Sequence, residues 1–192
     1  MSGNEHDFAD DYKRGETPWD SGIADAELLR VLDSGQLKGK TLLEIGCGTG
    51  TNAVELARRG FDVVAIDTVA QAVEAARKKA AAANVKIDFR VGDALSAELG
   101  GPYDVVFDCG VYHYLRRIDI AKYQALLRRA TRSGSLYFSL AGNAKEQTEY
   151  GPPRVHEHES APSWNQCLKF SNCAKRTSSQ TTATSGRWPG QS

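Results

Sequence analysis

From residue 41 to residue 142 the chain alternates between two rhythms. TLLEI (41–45), DVVAI (62–66), the apolar centre of GPYDVVFD (101–108) and SLYFSLAG (135–142) are short, nearly unbroken apolar runs, and KIDFRV (86–91) alternates apolar with polar. These read as strands. Between them apolar residues recur every three or four positions. Leu28, Leu29 and Leu32 predict a helix from about Ala24 that Gly35 closes, and Ala53, Leu56 and Ala57 predict another ending at Gly60. An alanine-rich helix runs from about Val69 to Ala83 and stops at Asn84. Ile120, Tyr123, Leu127 and Ala130 share one face of a helix that Gly134 ends. Buried strands alternating with helices predict an α/β fold, a doubly wound, mostly parallel sheet with helices on both faces.

The ends behave differently. Residues 1–22 are polar, close on GETPWDSG and are expected to be partly loose. Beyond about Glu159 neither period persists and Ser, Thr, Gln and Asn dominate. The chain therefore divides into an N-terminal segment (1–22), one folded domain (23–159) and an atypical, disordered tail (160–192). At 192 residues it is large enough for one substantial core. Lys plus Arg equals Asp plus Glu, 24 against 24, so no global field draws in nucleic acid or an anionic membrane. Cys47, Cys109, Cys167 and Cys173 have neither disulfide-framework nor zinc-site spacing. With no basic-then-apolar leader and no apolar run of roughly 20 residues, the expectation is a reduced, cytoplasmic, soluble protein.

The chemistry starts at LLEIGCGTGTNAV (42–54). The first strand ends at Gly46, and ligands of open parallel sheets sit beyond the carboxyl ends of the strands. Gly46 and Gly48 remove side chains where a ligand would press on the backbone around Cys47 and Thr49, and Gly50 lets the next helix pack closely. Free amides at that helix start favour a negatively polarised group. Thr51 stands where a dinucleotide fold wants a glycine, and Glu44 would repel phosphates while welcoming an ammonium or sulfonium. Asp67 closes the second strand, where a carboxylate can accept from both ribose hydroxyls; it could equally cap the following helix, a task Thr68 could share. Asp93, followed by Ala94, closes the third strand and could accept from an exocyclic amine or merely cap a turn. Together these residues describe an adenosine pocket without phosphates.

LEIGCGTG, an acidic residue ending the second strand, GDA and YDVVFD together resemble the class I S-adenosylmethionine-dependent methyltransferases, over roughly residues 38–142. YKRGETPWDSG (12–22) is similar to the small-molecule group containing thiopurine, thiol/halide and tellurite-resistance methyltransferases. The resemblance implies a Rossmann-like fold, S-adenosyl-L-methionine as cofactor and Trp19 in a lid over it; cation–π attraction to a sulfonium gives an aromatic ring a reason to be there. Packing of the first helix is the other reading of Trp19. The resemblance also implies a C-terminal β-hairpin, of which the residues after Ser160 carry no sign, so that hairpin is expected to be missing or altered. The fourth strand closes on DCGVYHYL (108–115), which lacks the prolines of nucleic-acid amino-methyltransferases, so base methylation is disfavoured.

Asp108 and Gly110 are expected beside the methionine end of the cofactor, and Tyr112 and His113 on the acceptor side. His113 is a candidate base, or a ligand of a loop carbonyl; Tyr12 could reach the acceptor from the lid. Cys47 and Cys109 are read as packing residues. RVHEHE (154–159) reads as the polar start of a helix rather than a metal site. The function expected is methyl transfer to a small-molecule acceptor, a thiol or other soft nucleophile, with an NAD-dependent oxidoreductase or a non-catalytic adenosyl-binding protein as alternatives.

Overall fold

The computed structural model describes residues 6–141, and within them every side chain but that of Arg116. Helix α1 (Phe8–Arg14) and helix α2 (Ala26–Asp33) precede β1 (Thr41–Ile45), α3 (Thr51–Arg58), β2 (Asp62–Asp67), α4 (Ala70–Ala82), β3 (Ile87–Val91), β4 (Tyr103–Cys109), α5 (Tyr112–Ala130) and β5 (Thr131–Leu140). All five strands are parallel, in the order β3-β2-β1-β4-β5. The order reverses between β1 and β4, which places the crevice of a doubly wound sheet at the carboxyl ends of those two strands.

Successive strand residues point to opposite faces, and two cores follow from that alternation. Leu42, Ala65, Phe107 and Leu140 join Ala53, Leu56, Val73 and Ala76 of α3 and α4 in one. Leu43, Ile45, Val106 and Tyr137 join Tyr123, Leu126 and Leu127 of α5 in the other. The predicted strands and the helical layers on both faces are present. The tail, the family hairpin and RVHEHE lie outside the described residues.

Three local expectations are corrected. Residues 8–14 form a helix, because Asp7 caps it by accepting from Asp10 N and Gly15 ends it at φ 71°. Ile120 is 40% exposed although Tyr123, Leu127 and Ala130 are buried. The cause is Asp119, whose extended backbone (φ −157°, ψ 90°) kinks α5. Its side chain then accepts from Lys122 N at 2.9 Å and starts a second helical segment out of phase with the first. Gly134 does not end α5. It lies inside β5 at φ 87°, where β5 advances from Thr131 to Leu136 while β4 advances only from Tyr103 to Val105.

Candidate functional site

The glycine turn sits at the crevice. Its backbone is folded back on the sheet: Gly46 N and Cys47 N both donate to Ile66 O, at 2.8 and 3.0 Å. All three glycines have positive φ, 69°, 52° and 75°. Each faces a different element. A Cβ on Gly50 would lie 2.7 Å from Ala76 Cβ, so this glycine permits the close contact of turn and α4. A Cβ on Gly46 would lie 2.2 Å from Val111 Cγ2, in the turn between β4 and α5. At Gly48 the neighbour is the Tyr12 hydroxyl, 2.9 Å away.

Asp67 organises this turn from the neighbouring strand. Its Oδ2 accepts from Gly48 N at 2.8 Å and its Oδ1 from Val69 N at 2.9 Å. One carboxylate thus holds both the turn and the approach to α4. Burial raises its pKa, against the pull of those amides. Thr68 is exposed and α4 has no side-chain cap.

Glu44 is 1% exposed and its Oε2 has no hydrogen-bond partner. Burial pushes its carboxyl up to about 8, and the carboxylates of Asp67 and Asp108 add to the shift. Asp67 and Asp108, on the two strands that flank β1, thus disfavour a charge on Glu44. The folded protein binds the Glu44 proton more tightly than the unfolded chain does. Its contribution to stability is therefore complete below pH about 4.5 and is lost as pH rises through about 8. Glu44→Gln is expected to flatten that dependence: urea unfolding should find the variant more stable than wild type at pH 9 and not at pH 4.5. Equal pH profiles for the two proteins would refute the assignment.

The N-terminal strap crosses the turn. Gln71 Nε2 donates to Tyr12 O at 3.1 Å, and Trp19 Nε1 donates to the Tyr12 hydroxyl at 3.3 Å. Burial, chiefly, pushes the Tyr12 phenol up to about 12, so it stays protonated. Trp19 is 43% exposed and meets Phe8 and Tyr12 edge-on, at centroid distances of 5.7 and 6.0 Å. In this structure it is Tyr12 that lies against Gly48, while Trp19 packs on α1 and braces Tyr12.

Phe8 reaches across to Tyr114 of α5 at 5.1 Å, and Tyr114 Oη accepts from His6 N at 3.0 Å. The sequence reading missed this bridge. An aromatic at alternate helical positions (Phe8, Tyr12) after an acidic cap was the available signal.

Several predicted residues have other work. Asp108 is fully buried on the α5 side. Its Oδ1 accepts from Val111 N and Tyr112 N at 3.2 and 2.9 Å, and its Oδ2 accepts from Tyr137 Oη at 2.6 Å. The carboxylate anchors the start of α5. Tyr112 is buried in the α5 core, its ring 5.7 Å from that of Tyr123. Ala94 is buried there too, its carbonyl accepting from Arg129 at 3.0 Å.

Asp93 accepts from Leu95 N at 2.9 Å and Ser96 Oγ at 3.1 Å, the behaviour of a turn cap. His113 is 5% exposed, with Cε1 3.6 Å from where a Cβ on Gly110 would lie. Cys47 is buried and its thiol is pushed well up by that burial, which makes it a poor nucleophile. Among the described residues no group of three or more His, Cys, Asp or Glu is placed to hold a metal, and no helix is long and apolar enough to cross a membrane.

Residues 42–134 match the sequence family described as "Methyltransferase domain". The chain is similar to the magnesium-protoporphyrin O-methyltransferase of Rhodobacter capsulatus, 36% identical over 102 residues that make up 53% of this chain and 45% of that protein. It is 32% identical over 146 residues to the ubiquinone biosynthesis O-methyltransferase of Caulobacter vibrioides, with 69% of this chain and 55% of that protein covered. A solved structure described as "Conversion of a Disulfide Bond into a Thioacetal Group during Echinomycin Biosynthesis" matches with a TM-score of 0.58 and 33% identity, over 67% of this chain and 55% of that one. The chain spans about half the length of the curated relatives it matches. The parallel sheet and the glycine turn at its switch point agree with that match: residues 42–134 resemble a methyltransferase domain.

Proposed function

We propose that this protein transfers a methyl group from S-adenosylmethionine to a small-molecule nucleophile. The observation that carries the reading is the acidic cluster at the glycine turn: Glu44 is buried with an orphan oxygen and holds its proton up to about 8, and Asp67 and Asp108 add to that shift. A sulfonium or ammonium beside it lets Glu44 give up that proton and pair with the cation, whereas a pyrophosphate would only hold the proton on. The residues fit such a ligand. The glycines let the turn lie close against α4, Val111 and Tyr12, and Asp67 Oδ1 and Oδ2 keep lone pairs for ribose hydroxyls beyond the amides of Gly48 and Val69.

When bound, the cofactor supplies an electrophilic methyl on a sulfur that leaves as a neutral thioether. The protein's own part is to hold and align the reactants and to keep water out. In this reading Asp67 grips the ribose, Glu44 loses its proton beside the cationic end, and the strap bearing Tyr12 and Trp19 closes the cleft. Gly110 remains a candidate neighbour of the cofactor at the end of β4.

Oxygen and sulfur are both supported as acceptor atoms. The curated relatives named above are O-methyltransferases, and the solved structure named above concerns sulfur chemistry. The stretch YKRGETPWDSG (12–22) is what favours a thiol. An alcohol or phenol needs its proton taken, and His113, at the first turn of α5, is the candidate base. Calorimetric titration tests the cofactor: S-adenosylhomocysteine is expected to bind in the micromolar range and NADH not at all, and the reverse result would overturn the proposal. Labelled methyl transfer onto a panel of thiols and phenols then tests turnover; binding without transfer to any member would leave a non-catalytic adenosyl-binding protein as the better reading.

A further inference from the structure

We infer that Asp20 and Lys79 are positioning residues which, acting through the hydroxyls of Thr49 and Thr51, latch the N-terminal strap over the glycine turn and set how long the ligand stays bound. The inference rests on the reading of the site given above. It starts from hydrogen-bond chemistry. An ammonium has three protons and no lone pair, so it can only donate. Lys79 Nζ lies 2.7 Å from Thr49 Oγ1 and 2.5 Å from Thr51 Oγ1, and both hydroxyls accept from it. Each hydroxyl then has one proton to direct elsewhere. Thr49 donates its proton to Asp20 Oδ2 at 2.5 Å, and Thr51 directs its own at Oδ1 from 3.5 Å. The order ammonium, hydroxyl, carboxylate is therefore the same along both routes, and two opposite charges are joined by parallel relays.

The positions of these residues give the relay its consequence. Asp20 follows Trp19 in the strap, Thr49 lies in the turn, Thr51 opens α3 and Lys79 belongs to α4. All four are half-buried, where charge interactions are screened less than on the open surface. Gly22 N donates to Asp20 Oδ1 at 3.1 Å and fixes the carboxylate's orientation. The relay falls between the strap's other polar ties, Gln71 to Tyr12 O on one side and Asp25 N to Asn52 Oδ1 at 3.0 Å on the other. Apolar burial contributes little at this point, since Trp19 and Ile23 are both exposed. Opening the strap must break the relay, and losing the relay removes the charged tie among those that hold the strap.

The test follows the rate at which S-adenosylhomocysteine leaves the full-length protein, together with hydrogen exchange of the amides at 12–22. Asp20→Asn and Lys79→Met are each expected to speed release and strap exchange about tenfold or more, the loss of at least one charge-assisted bond. The double variant should be no faster than either single one, because both cut the same relay. Lys79→Arg, which keeps a donor and a charge, should stay near wild type. Unchanged rates, or effects that multiply in the double variant, would overturn the latch. Failure of the wild-type protein to bind S-adenosylhomocysteine would instead remove the functional reading, and the exchange measurement, which needs no ligand, would still judge the latch.

Discussion

Asp67→Ala is expected to lower S-adenosylhomocysteine affinity by about a hundredfold or more and to destabilise the protein as well. The carboxylate accepts from Gly48 N and Val69 N at 2.8 and 2.9 Å, so its removal releases the turn and the approach to α4 together. Hydrogen bonds to a charged group contribute about 1.5–3 kcal/mol each, and a hundredfold change corresponds to about 2.7 kcal/mol. Loss of the proposed ribose contacts alone reaches that range before the looser turn is counted. Asp67→Asn keeps the shape and one acceptor oxygen. It should be destabilised less than the alanine variant, since one of the two amides still finds an acceptor, and bind more weakly than wild type, because an amide cannot accept from the turn and from both ribose hydroxyls. Titration and urea unfolding of the three proteins decide the matter. An alanine variant that binds within about threefold of wild type would remove Asp67 from the site.

The second large effect falls on stability. Asp108→Ala is expected to cost about 4 kcal/mol, a large part of the 5–15 kcal/mol that holds an ordinary domain together. The side chain has no exposure, and its loss strands two amides and the tyrosine hydroxyls that converge on it. Those hydroxyls form a chain. Tyr137 lies 2.6 Å from Asp108 Oδ2, Tyr123 lies 3.1 Å from the same oxygen, and the two phenols are 2.8 Å apart. Two phenolic protons serve three contacts, so the short Tyr137 bond takes one proton and Tyr123 divides the other between Tyr137 and Asp108. Tyr137→Phe should therefore destabilise more than Tyr123→Phe, and Asp108→Asn less than Asp108→Ala. Thermal unfolding orders the four variants. Asp108→Ala melting within a few degrees of wild type would show that the network contributes little.

These two aspartates also show how far residue order alone could reach. Both end a strand, and from the sequence both looked like ligands. Register and burial separate them. Asp67 lies next to the turn, one strand over, where its oxygens meet Gly48. Asp108 is paired with Ile45 and turned onto the α5 face, where Tyr123 and Tyr137 close over it. Nothing in the local text around residue 108 announces those tyrosines, because they come from α5 and β5, many residues later. Burial of Tyr112 was hidden for the same reason: the phase of α5 carries it into the core beside Tyr123.

The strap was harder still to read. Seven residues of helix in a polar, acidic stretch carry a weak periodic signal, and an isolated helix of that length would not persist in water. It exists here because Tyr12 lies over Gly48, Phe8 packs on Tyr114 and Asp20 reaches the threonines of the turn.

What the amino-acid order determined unaided was the alternation of strand and helix, the parallel sheet it implies and the glycine turn at the end of β1. Each of these depends on residues within one turn or one strand of each other, and backbone sterics and local burial decide them. The tertiary structure alone decided which carboxylates face the crevice, which serve the core, and that Lys79 meets Asp20 through two hydroxyls. Those pairings join residues dozens of positions apart, and only the packing of the sheet against its helices brings them within hydrogen-bond distance.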